Sequence, residues 1–286
     1  MKKWMMTAVL AACMIPGVAF ADAAPGDIIV TLGEDLKENQ KQELLKEMDV
    51  PSDVETITVT NEEEHNYLGD YISKAQIGTR AISSTKITIG EKDSGLNVET
   101  NNINWVTEEM YANALTTAGV KDADIYVTAP FEVSGTAGLT GILKAYEVTT
   151  DIEIPEEKKQ VANEEMVKTV KLGDRIGADK ATELMTKIKN ELAENPVETE
   201  EDLRALIKRV ADDIGITLTE EELNGLVSLF NKMKDINIDW DQVKSNLENV
   251  RNNLSEFLNK EETKGFIRNI LDFFIALIEA LKNLFK

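Results

Sequence analysis

Histidine, with cysteine, is the scarcest chemistry-bearing residue in this 286-residue chain, and His65 is the single one. Glu62 precedes it by three positions, the Glu-x-x-His spacing of half a di-metal carboxylate site, but the other half needs a second histidine and there is none. His65 therefore reads as a solvated, helix-capping residue. Ser-His-acid catalysis would draw on the same imidazole, and no GxSxG elbow accompanies it. The stretch DINIDWDQVKSN alternates Asp235, Asn237 and Asp239 like a calcium loop, yet places Trp240 where that loop needs glycine and Asn246 where it needs glutamate. Asp239 reads instead as the cap of the helix that follows. Neither a metal site nor a cofactor is expected.

Carboxylates are plentiful, and a glycoside hydrolase needs only two of them flanking a bond. Trp105, Glu108, Glu109 and Tyr111 would set an aromatic platform beside acids. Glu108 and Glu109 also follow Thr107 at a helix start, where the macrodipole favours acids without any substrate. The run APFEVSGTAGLTGI offers a different chemistry, because it leads from a strand into a helix, where free amide N–H groups can hold an anion. Its Gly135, Gly138 and Gly141 match neither GxGxxG nor GxxxxGK[ST], and glycines three apart also let a helix lie close against a sheet. Arg80, in YISKAQIGTRAISSTKITIG, is the cation that could complete such a pocket. Arg80 with Ser134, Gly135 and Thr136 is thus the candidate site for a carboxylate or phosphate. No catalytic residue is assigned.

The elements that must position these residues alternate from residue 27. DIIVTLG suits a buried strand, and Leu36, Leu44, Leu45 and Met48 follow at helical spacing up to Pro51. ETITVT is a second strand, and Asn61 with Glu64 opens NEEEHNYLGDYI as a capping box, which accounts for the acidic triplet by the helix dipole. AISSTKITIG and GLNVETNNINW, joined by the polar turn EKDSG, read as a hairpin. Thr107 caps EEMYANALTTAG and Gly119 ends it; DADIYVTAPF is a fifth strand and TAGLTGILKAYEVT a further helix. The order βαβαββαβα predicts an α/β domain with a mixed sheet over residues 22–150.

After Pro155 only helical periodicity remains, predicting a helical bundle over 151–286. Leu203, Leu206, Ile207, Val210 and Ile214 mark one apolar face, and Leu223, Leu226, Val227, Phe230 and Met233 another, with Thr199 and Thr219 as caps. Trp240, Val243, Leu247, Val250, Leu254 and Phe257 form a short heptad seam. The last segment, 265–286, is amphipathic; Asp272 and Glu279 argue against a spanning helix and leave it to close the bundle or to touch a membrane peripherally.

With 31 basic against 52 acidic side chains and a net charge of -21, the chain would repel phosphate backbones, so nucleic acid is excluded as a partner. Lys2 and Lys3, the apolar run WMMTAVLAACMIPGVAF and the Ala19-Phe20-Ala21 spacing predict a signal peptide over residues 1–21 and a secreted, extracellular protein. Cys13, the one cysteine, falls inside that leader. An alternative lipid anchor at Cys13 follows from Leu10-Ala11-Ala12-Cys13, although the residues after it stay apolar. Without thiols the exported chain must rely on packing.

DIIVTLGEDL, YISKAQIGTRAISS, NINWVTEEMYANALTTAGVKDADIYVTAPF and VSGTAGLTGILKAYE together resemble the YpuA-like family of secreted, uncharacterised proteins of Gram-positive bacteria. The resemblance is strong over residues 25–150 and implies an exported α/β domain with a helical extension. It implies no reaction, ligand or site residue. The expectation is a non-enzymatic interaction protein for a cell-envelope component or protein partner. The alternatives are a carboxylate-dependent envelope glycan hydrolase and a membrane-surface protein held by 265–286.

Overall fold

The computed structural model describes residues 23–236 and 238–246. The expected leader, Cys13, Asn237 of the rejected calcium-like loop, the seam from Leu247 onward and the amphipathic segment 265–286 lie outside the described residues.

The chain runs β1 (Ile28–Gly33), α1 (Glu38–Glu47), β2 (Glu55–Val59), α2 (Asn61–Leu68), α3 (Lys74–Ile77), β3 (Ser84–Ile89), β4 (Leu96–Ile103), α4 (Glu108–Ala118), β5 (Ala123–Val133) and α5 (Thr136–Thr150). The helices α6 (Glu156–Ile176), α7 (Ala178–Glu194), α8 (Glu200–Asp213) and α9 (Glu220–Asp235) follow. This is the expected mixed sheet with covering helices, continued by a run of helices.

Strand order is β2-β1-β3-β5-β4. β1 pairs with β2 and β4 with β5 in parallel, while β3 runs antiparallel to both β1 and β5. The expected β3–β4 hairpin is therefore wrong, because β5 lies between the two strands. Asp122 holds them apart: its carbonyl accepts from the Gly90 amide at 2.6 Å and its carboxylate from the Gly95 amide at 2.9 Å. Burial explains the choice of strand. Ile125 and Val127 of β5 are buried on the helix-covered side, whereas Glu99 and Asn101 of β4 are exposed and suit an edge.

Alternation along the strands divides the core in two. Val30, Leu32 and Ile82 pack with Leu36, Leu44 and Met48 on the α1 side. Ile29, Ile87, Ile125 and Val127 pack with Leu68, Leu115 and Leu139 of α2, α4 and α5 on the other. Helix α6 serves two cores: Ala162, Met166 and Val167 join the sheet-side cluster, and Val161 and Leu172 join the cluster formed by α7, α8 and α9. In that second cluster Leu203, Leu206, Ile207 and Val210 meet Leu223, Leu226, Phe230 and Met233, the faces that helical spacing predicts. Thr199 and Thr219 accept from the amides of Asp202 and Glu222, and Asp239 accepts from Gln242, as N-caps do.

A buried ion pair between α6 and α7 is hydrogen-bonded to α4 and so ties the α/β layer to the helices after it. Lys189 Nζ lies 2.5 Å from Glu165 Oε1 and donates to the Asn113 carbonyl at 2.8 Å, while the Thr117 hydroxyl donates to the other Glu165 oxygen. Both charged side chains are 1% exposed. Burial drives each toward its neutral form, the Glu165 carboxyl upward and the Lys189 ammonium downward, and each partner opposes the other's shift. Their mutual attraction must offset two desolvations, so losing one partner costs more than losing both. Lys189→Met should lower stability by about 3–5 kcal/mol in urea unfolding, and the double variant Glu165→Leu/Lys189→Met should recover most of that loss.

Candidate functional site

The pairing brings the C-terminal ends of β1, β2, β4 and β5 to one end of the sheet, together with the start of the antiparallel β3. Ligands of open α/β sheets settle outside such carboxyl ends. Here α2 begins directly after β2, α5 begins directly after β5, and residues 78–83 lead into β3. A cavity of about 280 Å³ lies among them, lined by Glu64, Thr79, Arg80, Ser83, Phe131, Ser134, Thr136 and the apolar side chains of Ile77, Ile82, Val133 and Ala137. Of the four residues picked from sequence, Arg80, Ser134 and Thr136 line this one cavity, and Gly135 sits beside it as the N-cap of α5.

The α5 end of the cavity is shaped by glycine. Gly135 has a φ of 88°, a left-handed turn that glycine adopts freely, and no side chain caps the helix. Its first-turn amides at Thr136 and Ala137 thus have no intrahelical acceptor and carry the positive end of the dipole. The Ser134 and Thr136 hydroxyls stand 3.2 Å apart. Helix α5 can lie this close to the sheet because positions 138 and 141 lack side chains. A Cβ on Gly138 would stand 2.6 Å from Tyr111 Oη and 2.9 Å from Val127, and one on Gly141 would stand 2.6 Å from Thr31 Oγ1. The Tyr111 hydroxyl, wholly buried, donates to the Gly135 carbonyl and locks the turn from below.

Glu64 contributes the feature that sequence reasoning missed. The capping box of α2 is made one residue earlier than expected, by Thr60 and Glu63, whose side chain and backbone bond reciprocally. The acidic triplet is consequently not one solvated run. Glu62 is exposed and Glu63 half-buried, but Glu64 is only 1% exposed, lines the cavity, and leaves Oε1 without a hydrogen-bond partner. Burial pushes its carboxyl up, and the charges of Asp35 and Glu34 push the same way, to about 8. Those two acids brace the rim: Asp35 accepts from the Ala81 amide at 2.8 Å and Glu34 from the Asn61 amide at 2.7 Å. A signal for Glu64 was present in its distance from Leu68, four residues on and therefore on the same helix face as a core leucine.

His65 is neither a cap nor solvated. It sits within α2, half-buried, and its Nε2–H donates to the Gly78 carbonyl at 3.0 Å, tying the helix to the loop that carries Arg80. The aromatic and acidic platform divides. Trp105, Glu108 and Glu109 line a shallow hollow of about 220 Å³ without Tyr111. Glu108 accepts from the Thr100 amide at 2.9 Å and Trp105 donates to Asp174 at 3.0 Å, so structural partners occupy both. Among the described residues no three His, Cys, Asp or Glu side chains gather closely enough to hold a metal ion, and no helix is long and apolar enough to cross a membrane.

Residues 32–250 match the family described as "Protein of unknown function (DUF1002)". The chain is 54% identical over 283 residues to "Uncharacterized protein YpuA" of Bacillus subtilis (strain 168), covering 99% of this chain and 98% of that protein. No solved structure matches it.

Two outcomes follow from the geometry. Glu64 binds its proton more tightly folded than unfolded, so its contribution to stability is fully present below the ordinary carboxyl value of 4.5 and is lost as pH rises through about 8. Glu64→Gln should remove that decline: its urea midpoint should match wild type near pH 5 and exceed it at pH 8, by about 3–5 kcal/mol in stability. Gly138→Ala, although alanine is the better helix former, should destabilise by about 1–3 kcal/mol through overpacking against Tyr111 and Val127, read as a lowered Tm.

Proposed function

Taking as premise that the chain belongs to the DUF1002 family, we propose that it is an exported, non-enzymatic binding protein of the cell envelope that takes its ligand in the cleft of Arg80, Ser134 and Thr136. One observation carries this reading. A guanidinium, two hydroxyls, an uncapped helix start and a buried carboxyl, drawn from three separate stretches of chain, converge on a single cavity. A half-exposed aromatic ring, Phe131, stands at its rim. Few convergent polar groups in a partly apolar pocket are the usual make-up of a small-molecule site. Export rests on the leader pattern of residues 1–21, and the acidic balance of the chain argues against nucleic acid.

A glycan hydrolase is the second reading, favoured by the same carboxyl. Glu64, held protonated to about 8 beside Asp35 and Glu34, is in the state that a general acid requires. Binding is preferred because Glu64 is the one carboxyl that lines the cavity: Asp35 and Glu34 stand outside its lining, so no second carboxylate faces Glu64 across it as nucleophile or base. Mature protein immobilised on beads and exposed to solubilised envelope should retain a component that Arg80→Ala retains at least tenfold less, with no release of reducing sugar from wall glycan. Equal retention by Arg80→Ala would move the binding surface elsewhere. Sugar release lost in Glu64→Gln would establish the hydrolase instead.

A further inference from the structure

We propose that the cleft binds a small zwitterion of the amino-acid class, its carboxylate held by Arg80 and the start of α5 and its ammonium by Glu64. This rests on the cleft being the binding site and specifies what enters it. The two ends of the cavity call for opposite complements. A simple anion would satisfy Arg80, the α5 start and the Ser134 hydroxyl, but it would bring no donor to Glu64, the one carboxyl that lines the cavity, and would add to the negative charges of Asp35 and Glu34 beyond it. A simple cation would satisfy Glu64 and meet Arg80 and the positive end of α5. A ligand with both charges gives Arg80 and the α5 start their complement and, once Glu64 has given up its proton, gives that carboxylate its own.

Glu64 supplies the observation that is independent of the helix terminus. Its side chain is 1% exposed and its Oε1 accepts nothing, whereas buried polar atoms are ordinarily satisfied. The other carboxylates near this edge of the sheet are engaged: Glu34 and Asp35 hold the Asn61 and Ala81 amides, and Glu63 holds Thr60 and Lys144. Thus a carboxyl with no donor of its own lines a cavity whose other wall is made of donors. An ammonium provides the donor that Glu64 lacks. Ile77, Ile82, Val133, Ala137 and the exposed ring of Phe131 form the apolar remainder, room for a side chain, and about 280 Å³ accommodates a molecule of this size.

Binding then has a proton balance. The protonated Glu64 carboxyl gives its proton to solvent and becomes the carboxylate partner of the incoming ammonium; no other bond is made or broken. The ionisable groups around Glu64 are Glu34 and Asp35 beyond β1, Tyr111 of α4, Arg80 across the cavity, and its own neighbours Glu63 and His65. Glu63 is already paired with Lys144 at 2.6 Å and His65 with the Gly78 carbonyl, which leaves Glu64 as the group that answers the ligand.

The test is calorimetric titration of the full mature protein with alanine and leucine in both enantiomers, and with propionate and propylamine as half-ligands, in buffers of different ionisation heat at pH 6, 7 and 8. An amino acid should bind with release of close to one proton at pH 7, and its affinity should rise by about tenfold per pH unit up to about 8. Propionate and propylamine should bind at least tenfold more weakly. Glu64→Gln should weaken the amino acid at least tenfold and abolish proton release, and Arg80→Ala should weaken it similarly with release retained. Propionate binding as tightly as alanine, without proton release, would leave an anion cleft and overturn the zwitterion. Absence of heat with every amino acid would overturn it too, while the envelope retention experiment would still judge the binding reading on its own terms.

Discussion

How closely α5 can approach the sheet governs much of this molecule. Two missing side chains, at Gly138 and Gly141, let a helix backbone settle against Val127 and Thr31. Tyr111 then fills the space beneath the turn and donates its hydroxyl to the Gly135 carbonyl. Close packing in an interior transmits such a constraint outward, because there is little free volume to absorb a shift. With α5 drawn in, its uncapped start is held over the ends of β1 and β5, and Glu64 of α2 is enclosed from the opposite side.

The electrostatics follow from that enclosure. An acidic chain of net charge -21 can keep most of its carboxylates in water, where screening makes each one inexpensive. The buried ones must be compensated or neutral. Glu47, at the surface, and Glu165, wholly buried, illustrate compensation in two degrees. Burial alone would raise Glu47, but donors from Asn101, Thr128 and Tyr126 outweigh it and hold the carboxyl below its usual value. Glu165 has Lys189 and Thr117, and burial still prevails. Glu64 has no hydrogen-bond donor and no ion-pair partner, and two further acids stand near, so it remains protonated through neutral pH. A group kept in that state is poised to respond to whatever enters the cavity.

The helical continuation is tied to the sheet layer by polar contacts as well as apolar ones. Helix α6 contributes to two hydrophobic clusters, and Lys189 reaches from α7 to the Asn113 carbonyl of α4. Farther along, the side-chain amides of Gln242 and Asn246 both donate to the Val120 carbonyl, at 3.3 Å. These contacts lie away from the ends of β1 and β5, so the helices buttress the domain without entering the cleft.

Local rules were enough for the elements. Strand alternation, Thr107 as a cap, Gly119 as a stop and the apolar faces of α8 and α9 depend on residues within one or two turns, and all are found where the sequence places them. The mixed sheet and the helical continuation were legible for the same reason. Strand order was not, because the insertion of β5 between β3 and β4 depends on Asp122 bonding to Gly90 and Gly95, contacts between distant positions. The site divides along the same line. Arg80, Ser134, Gly135 and Thr136 could be named from residue type and the turn before a helix, but their meeting around one cavity, and the burial that changes Glu64 from a helix-start charge into an unpartnered proton carrier, arise only when β1, β5, α2 and α5 close on one another. Periodicity acts through neighbours in the chain, whereas desolvation is set by everything within a few ångströms in space, and that information belongs to the tertiary structure alone.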